Sequence, residues 1–92
     1  MKTEVHAKEE EARTEARAAV QEALTKDENL SVFIYKLRTG ESADENGVLR
    51  GEYVYTAAPR ALSSEDVARA TGYGVADTVG HIRTRNDEMK ED

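Results

Sequence analysis

The apolar positions of this chain change period twice. Between residues 3 and 27, Val5, Ala12, Ala16, Ala19, Val20, Ala23 and Leu24 recur at helical spacing among Glu, Arg, Lys and Gln, with no Gly or Pro. That pattern predicts an amphipathic helix opened by Thr3 as its cap. Acid-first pairs four residues apart, Glu4 to Lys8, Glu9 to Arg13 and Glu22 to Lys26, support it by about 0.2–0.5 kcal/mol each. Its larger apolar side chains sit in the last two turns, so the C-terminal half is expected to pack and the N-terminal half to project. At residue 30 the period drops to two. Phe33, Tyr35 and Leu37 fall on one face and Val32 and Ile34 on the other, which predicts a strand over 30–37. A polar stretch, 39–47, closes on Asn46-Gly47. Residues 48–56 then alternate again, with Leu49, Tyr53 and Tyr55 on one face, so the two segments predict an antiparallel hairpin with a long tip. Gly51 inside the second strand predicts a bulge or a close backbone approach.

Pro59 interrupts the ladder, because it has no N–H to donate. Ser63 then offers a cap, Leu62 can staple to Val67, and Gly72 can close a short helix over 64–71 in the left-handed conformation. Val75, Val79 and Ile82, spaced by four and by seven, predict a second helix reaching about Arg85, followed by a frayed charged tail. The expected fold class is α+β: an N-terminal helix, an antiparallel β-hairpin and two short C-terminal helices in a helix-turn-helix-like arrangement. Residues 1–29 form the acidic helix, 30–86 the compact core and 87–92 the tail, within a single domain.

Composition narrows this further. A 92-residue chain buries only about 60–65% of its unfolded surface, which leaves room for one core. Thirteen of the sixteen Leu, Ile, Val and Phe residues lie between 30 and 82, so that core is expected there. So small a nucleus commonly relies on self-association, and a homodimer through Val20, Leu24 and the sheet edges is expected. There is no Cys, which excludes disulfide and thiolate chemistry and fits a reducing compartment. No apolar run approaches a membrane span and the N-terminus lacks a signal-peptide core, so a cytoplasmic protein without membrane contact is expected. His6 and His81 stand too far from other ligand types to predict a metal site, and no cofactor loop is present. Ser63, Ser64 and Thr71 are explained by caps and turns, so neither a nucleophile nor an enzyme is expected.

The stretch SSEDVARATGYGVADTVGHIRTR, residues 63–85, resembles the helix-turn-helix element of bacterial regulators. In that likeness Ala68 lets two helices cross closely, Gly72 makes the turn and Val79 is buried in the second helix. The resemblance implies that Tyr73, Asp77, Thr78, His81 and Arg85 face the major groove, with Ser63 and Arg60 near phosphate. The same residues are explained at least as well as two packed helices with a Gly-ended turn in an ordinary small domain. Four of the five aromatic residues, Phe33, Tyr35, Tyr53 and Tyr55, lie on the hairpin, where they serve either the core or, on an exposed face, stacking against bases.

Two functions from different classes follow. One is a DNA-binding regulatory or accessory protein of microbial or phage type, with Arg60, Tyr73, Thr78, His81, Arg83 and Arg85 as contacts. The other is an acidic interaction module, an inhibitor, adaptor or nucleic-acid mimic, that meets a basic partner through Glu9, Glu10, Glu11, Glu15, Val20, Glu22 and Leu24. The net charge of −6 favours a basic partner over general affinity for phosphate.

Overall fold

A computed structural model describes residues 4–74 and 76–92. The chain forms β1 (Val5–His6), α1 (Glu9–Thr25), β2 (Ser31–Ala43), β3 (Leu49–Ala58), α2 (Ser64–Thr71), β4 (Ala76–Arg85) and β5 (Glu88–Glu91). The five strands make one sheet in the order β1-β3-β2-β4-β5, antiparallel at every pairing. The two C-terminal helices expected from the sequence are therefore corrected: α2 is real, but the segment that follows it is a strand. No helix-turn-helix exists in the described residues. Val75, the first member of the stripe that suggested a second helix, lies outside them, as does Thr3.

Local chemistry favours the strand. Ala76–Arg85 holds Thr78, Val79, Ile82 and Thr84, whose β-branched side chains are stiff in a helix, and Gly80, which costs about 1 kcal/mol in a helix interior. The deciding factor is non-local. β2 has two edges, and β4 fills the one that β3 leaves open, with Val32 opposite Ile82 and Ile34 opposite Gly80. An extra residue, Val79, bulges β4 between Gly80 and Thr78. The tail is likewise ordered as strand: Asn86 and Asp87, with φ of 51° and 62°, form the tight two-residue turn that suits a hairpin, and β5 returns along β4.

The hairpin itself is longer than its alternation suggested. β2 runs to Ala43, and only Asp44 to Gly47 turn. There the Asp44 carboxylate accepts from the Asn46 and Val48 N–H groups, at 2.9 and 3.0 Å. Those contacts, Val48 foremost, hold its carboxyl below the usual carboxylate range. The register shift lies in β2, between Arg38 and Gly40. Gly51 instead answers a close approach, because the Tyr53 ring occupies the place a Cβ would take. Beyond the body of the sheet the two strands continue as a projecting arm, and the molecule extends 51 Å along its longest axis.

The core has two layers. On one face of the sheet α1 lays Ala12, Ala16 and Val20 against Val32, Ile34, Ala57 and Ile82, all fully buried. On the other face Tyr35, Leu37, Ala58 and Val67 form a smaller cluster under α2, with Phe33, Val54, Leu62 and Ala76 at its border. The hairpin thus supplies most of the interior. The expectation that the N-terminal half of the first helix projects is overturned, because Ala12 and Ala16 are as buried as Val20.

Arg13 fixes that half of the helix. Its guanidinium donates to the Val79 carbonyl at the bulge (2.7 Å), to Glu91 (2.9 Å) and to Glu9 (3.0 Å). Gly80 makes the space, since a Cβ there would stand 2.7 Å from the Arg13 guanidinium. Arg17 also donates to Glu91, at 2.9 and 2.8 Å, so one carboxylate ties β5 to two arginines of α1. The N-terminus of α1 lies at Glu9 rather than Thr3. Lys8 is its cap residue, its backbone N–H donating to Glu11 at 3.1 Å, and Glu9, Glu10 and Glu11 complement the helix dipole.

Glu91 predicts a pH response. The hydrogen bond from Arg17, reinforced by Arg13 and opposed by burial, holds its carboxyl below the usual carboxylate range. A carboxylate depressed by folding stabilises the native state above its unfolded pKa, and that contribution fades as pH falls through the lower folded value. Acidification below about pH 4 should therefore loosen β5 from α1 before the rest unfolds. Amide hydrogen exchange should report it as lost protection at residues 88–91, and Glu91→Gln should weaken protection there already at neutral pH and remove the acid step.

Candidate functional site

The face of the sheet opposite α1 is only partly covered. α2 lies over the Tyr35 and Leu37 end, leaving the β2–β4–β5 end open. Alternation places Ser31 and Phe33 of β2 and His81 and Arg83 of β4 on this face, because Phe33 is opposite His81 and Ser31 opposite Arg83. Arg85, two residues on, joins them. Lys90 of β5 pairs with Arg83, and Glu88 with Arg85.

The Phe33 and His81 rings stack with centroids 4.4 Å apart and planes 7° from parallel. Tyr35 continues the row at 6.3 Å from Phe33, tilted by 41°. Two polar contacts fix the imidazole. Its Nε2 meets the Ser31 hydroxyl, and Arg83 approaches its Nδ1 at 3.3 Å. A guanidinium has only N–H groups to offer, so in the Arg83 contact Nδ1 is placed as the acceptor.

Arg83 also donates to Asp92 at 2.7 Å. That hydrogen bond holds the Asp92 carboxyl below its ordinary value, with smaller contributions from His81 and Arg85. Arg85 and Lys90 form no ion pair within the described residues, although Arg85 has Glu88 across the ladder. The result is a stacked phenyl–imidazole pair bordered by the Ser31 hydroxyl and three cations, Arg83, Arg85 and Lys90, answered by Asp92 and Glu88.

The residues singled out in the sequence are distributed unevenly. Thr78, His81, Arg83 and Arg85 do share a surface, but it is a sheet face, reached by strand alternation and one bulge. Asp77 is opposite Lys36. Tyr73, 48% exposed, follows the Gly72 cap of α2 and lies beside Arg38, whose guanidinium carbon is 5.6 Å from the ring centre. Arg60 is exposed in the β3–α2 connection. It lies close enough to Asp66 to contribute to the lowering of that carboxyl, which the Ser63 side chain dominates. Ser63 itself caps α2 by accepting from the Asp66 N–H at 3.1 Å.

The acidic set on α1 is largely engaged within the chain. Glu9 pairs with Arg13, Glu10 with Arg17, Glu15 with His6 at 2.5 Å and Glu22 with Lys26 at 3.0 Å. Glu11 accepts from the Lys8 backbone. Val20 is fully buried beneath the helix and Leu24 is half-buried.

Ser31, Lys90 and Asp92 were not legible as site residues. A signal existed in Asn86-Asp87 between two alternating runs, which is a hairpin turn sequence. Among the described residues, no group of three or more His, Asp or Glu residues could hold a metal ion, and no helix is long and apolar enough to cross a membrane. A shallow cleft of about 240 Å³ at the end of α1, walled in part by Glu22, Lys26, Glu28 and Asn29, is smaller than the roughly 300–1,000 Å³ of typical ligand pockets. No protein-family model matches the chain, and neither a curated protein nor a solved structure does.

Proposed function

We propose that this chain is a non-enzymatic binding protein that takes an unpaired strand of nucleic acid across the open face of its sheet. The observation that carries the proposal is the Phe33–His81 stack flanked by Ser31, Arg83, Arg85 and Lys90. A ring on a sheet can accept a base on the face its neighbour leaves uncovered, stacking worth about 1–3 kcal/mol per base, while cations beside it neutralise the backbone. A duplex suits this face poorly, because its bases are already stacked and no helix is presented to the major groove. The net charge of −6 confines binding to this face and makes it weak and sensitive to salt.

The test is fluorescence anisotropy with labelled single-stranded and duplex oligonucleotides of mixed sequence at low salt. The single strand is expected to bind more tightly, with affinity falling steeply as salt rises. Arg85→Glu, at an exposed position without an ion pair, should weaken binding about tenfold at low salt. If neither oligonucleotide is retained at low salt, or if Arg85→Glu leaves the affinity unchanged, the proposal fails.

A further inference from the structure

We propose that two copies of this chain join edge to edge through β3, over residues 49–54 and the adjoining Val48, to make one continuous antiparallel sheet. Among the described residues, β1 lies beside β3 only at Tyr55 and Thr56. The outer edge of β3 from Leu49 to Val54 therefore presents unpaired backbone N–H and C=O groups, and such an edge is a template for another strand. The arm to which it belongs is a two-stranded ribbon, a structure of marginal stability in water unless a further strand joins it.

The occupant is identified by the residues of the edge. The segment is Val48-Leu49-Arg50-Gly51-Glu52-Tyr53-Val54. Placed antiparallel to itself about a two-fold axis through Gly51, it puts Arg50 opposite the partner copy's glutamate at 52, and Glu52 opposite its arginine at 50. The same register sets Leu49 against the tyrosine at 53 and Val48 against the valine at 54. Every pair is then either opposite in charge or apolar on both sides, as cross-strand pairing rewards. The symmetric position is Gly51, over which each copy's own Tyr53 ring lies.

The exposures agree. Val48 is 53%, Leu49 67% and Tyr53 40% exposed, and Tyr53 is covered on one side by Lys36, 4.1 Å from its ring centre. Glu52 is exposed and has no ion pair among the described residues, while Arg50 uses its Nε on Asp44 at 3.2 Å. The opposite edge of the arm is a poorer template. There β2 shifts register between Arg38 and Gly40, and Arg38 already pairs with Glu41.

Seven residues of strand edge bury less than the roughly 1,200 Å² at the lower end of standard interfaces, so self-association on the order of tens of micromolar is expected. The test is sedimentation equilibrium of the full chain from about 1 μM to about 1 mM. The mass should rise from that of one 10.2 kDa chain toward twice that value. Glu52→Arg, and separately Arg50→Glu, should each weaken dimerisation about tenfold or more by opposing like charges. An equimolar mixture of the two variants should recover the wild-type mass, and so should the double swap, Arg50→Glu with Glu52→Arg. Both positions are exposed, and circular dichroism checks that each variant folds. A chain that stays monomeric across the range, a dimer unmoved by either single change, or a mixture that fails to recover would overturn the proposal.

Discussion

Replacing Ile34 by Ala should destabilise this protein by about 2–5 kcal/mol, the largest effect expected of any single truncation. Ile34 is fully exposed to nothing but protein: it lies on the central strand, between Ala57 of β3 and Gly80 of β4, with α1 above it. Both neighbours across the ladder are the smallest residues available, so none can grow into the vacated space, and α1 is held in place by Arg13 and Arg17. The lost transfer energy and the residual cavity therefore add. A domain of this size is expected to have only about 5–14 kcal/mol of total stability, so the urea midpoint should fall by a large fraction and the thermal midpoint by about 10 °C or more. Val5→Ala, at a residue 64% exposed on the edge strand, should stay within about 0.5 kcal/mol. A cost below about 1 kcal/mol for Ile34→Ala would mean that the sheet and helix do not meet as described.

The second large effect has the opposite sign from what the sequence suggests. Ala16→Leu adds apolar area to an apolar stripe, in a residue nearly as favourable to helix as Ala, and on sequence grounds it should strengthen a helix that buries little. In the structure Ala16 is fully buried against the sheet. Three more carbon atoms have no void to enter, so the helix must lift or neighbours must leave their rotamers, at a cost of about 1–3 kcal/mol. Lifting α1 would also draw Arg13 from the Val79 carbonyl and from Glu91, which the hydrogen exchange of β5 would register. Urea unfolding checks the sign: a variant more stable than the wild type would show that the helix is not seated on the sheet at Ala16.

These two residues also locate the limit of the sequence reading. The hairpin was legible because Val32, Ile34 and Phe33, Tyr35, Leu37 alternate without interruption, and each face finds its own layer of core. The short helix was legible because Ser63, Leu62, Val67 and Gly72 are local signals, complete within one segment. The stretch 76–85 was misread because Val79 and Ile82 fit a helical stripe as readily as a strand containing a bulge. The candidate site inherits that error in a particular way. Thr78, His81, Arg83 and Arg85 were selected for a helix face and are neighbours on a sheet face, whereas Ser31 and Lys90, drawn from other strands, carried no signal of proximity.

What the amino-acid sequence determined alone was everything set within a few residues: the period of the hairpin strands, the caps of α2, the charge of α1 and the absence of thiol chemistry. What only the tertiary structure decided was pairing. β2 has a second edge whose backbone groups must be satisfied, and the cheapest way to satisfy them is to recruit residues 76–85 as a strand, whatever their local periodicity permits. An alanine stripe that looks too thin to bury a helix becomes its docking surface, because small side chains let the backbone of α1 come close enough to the sheet for the sheet's own isoleucines and valines to fill the gap.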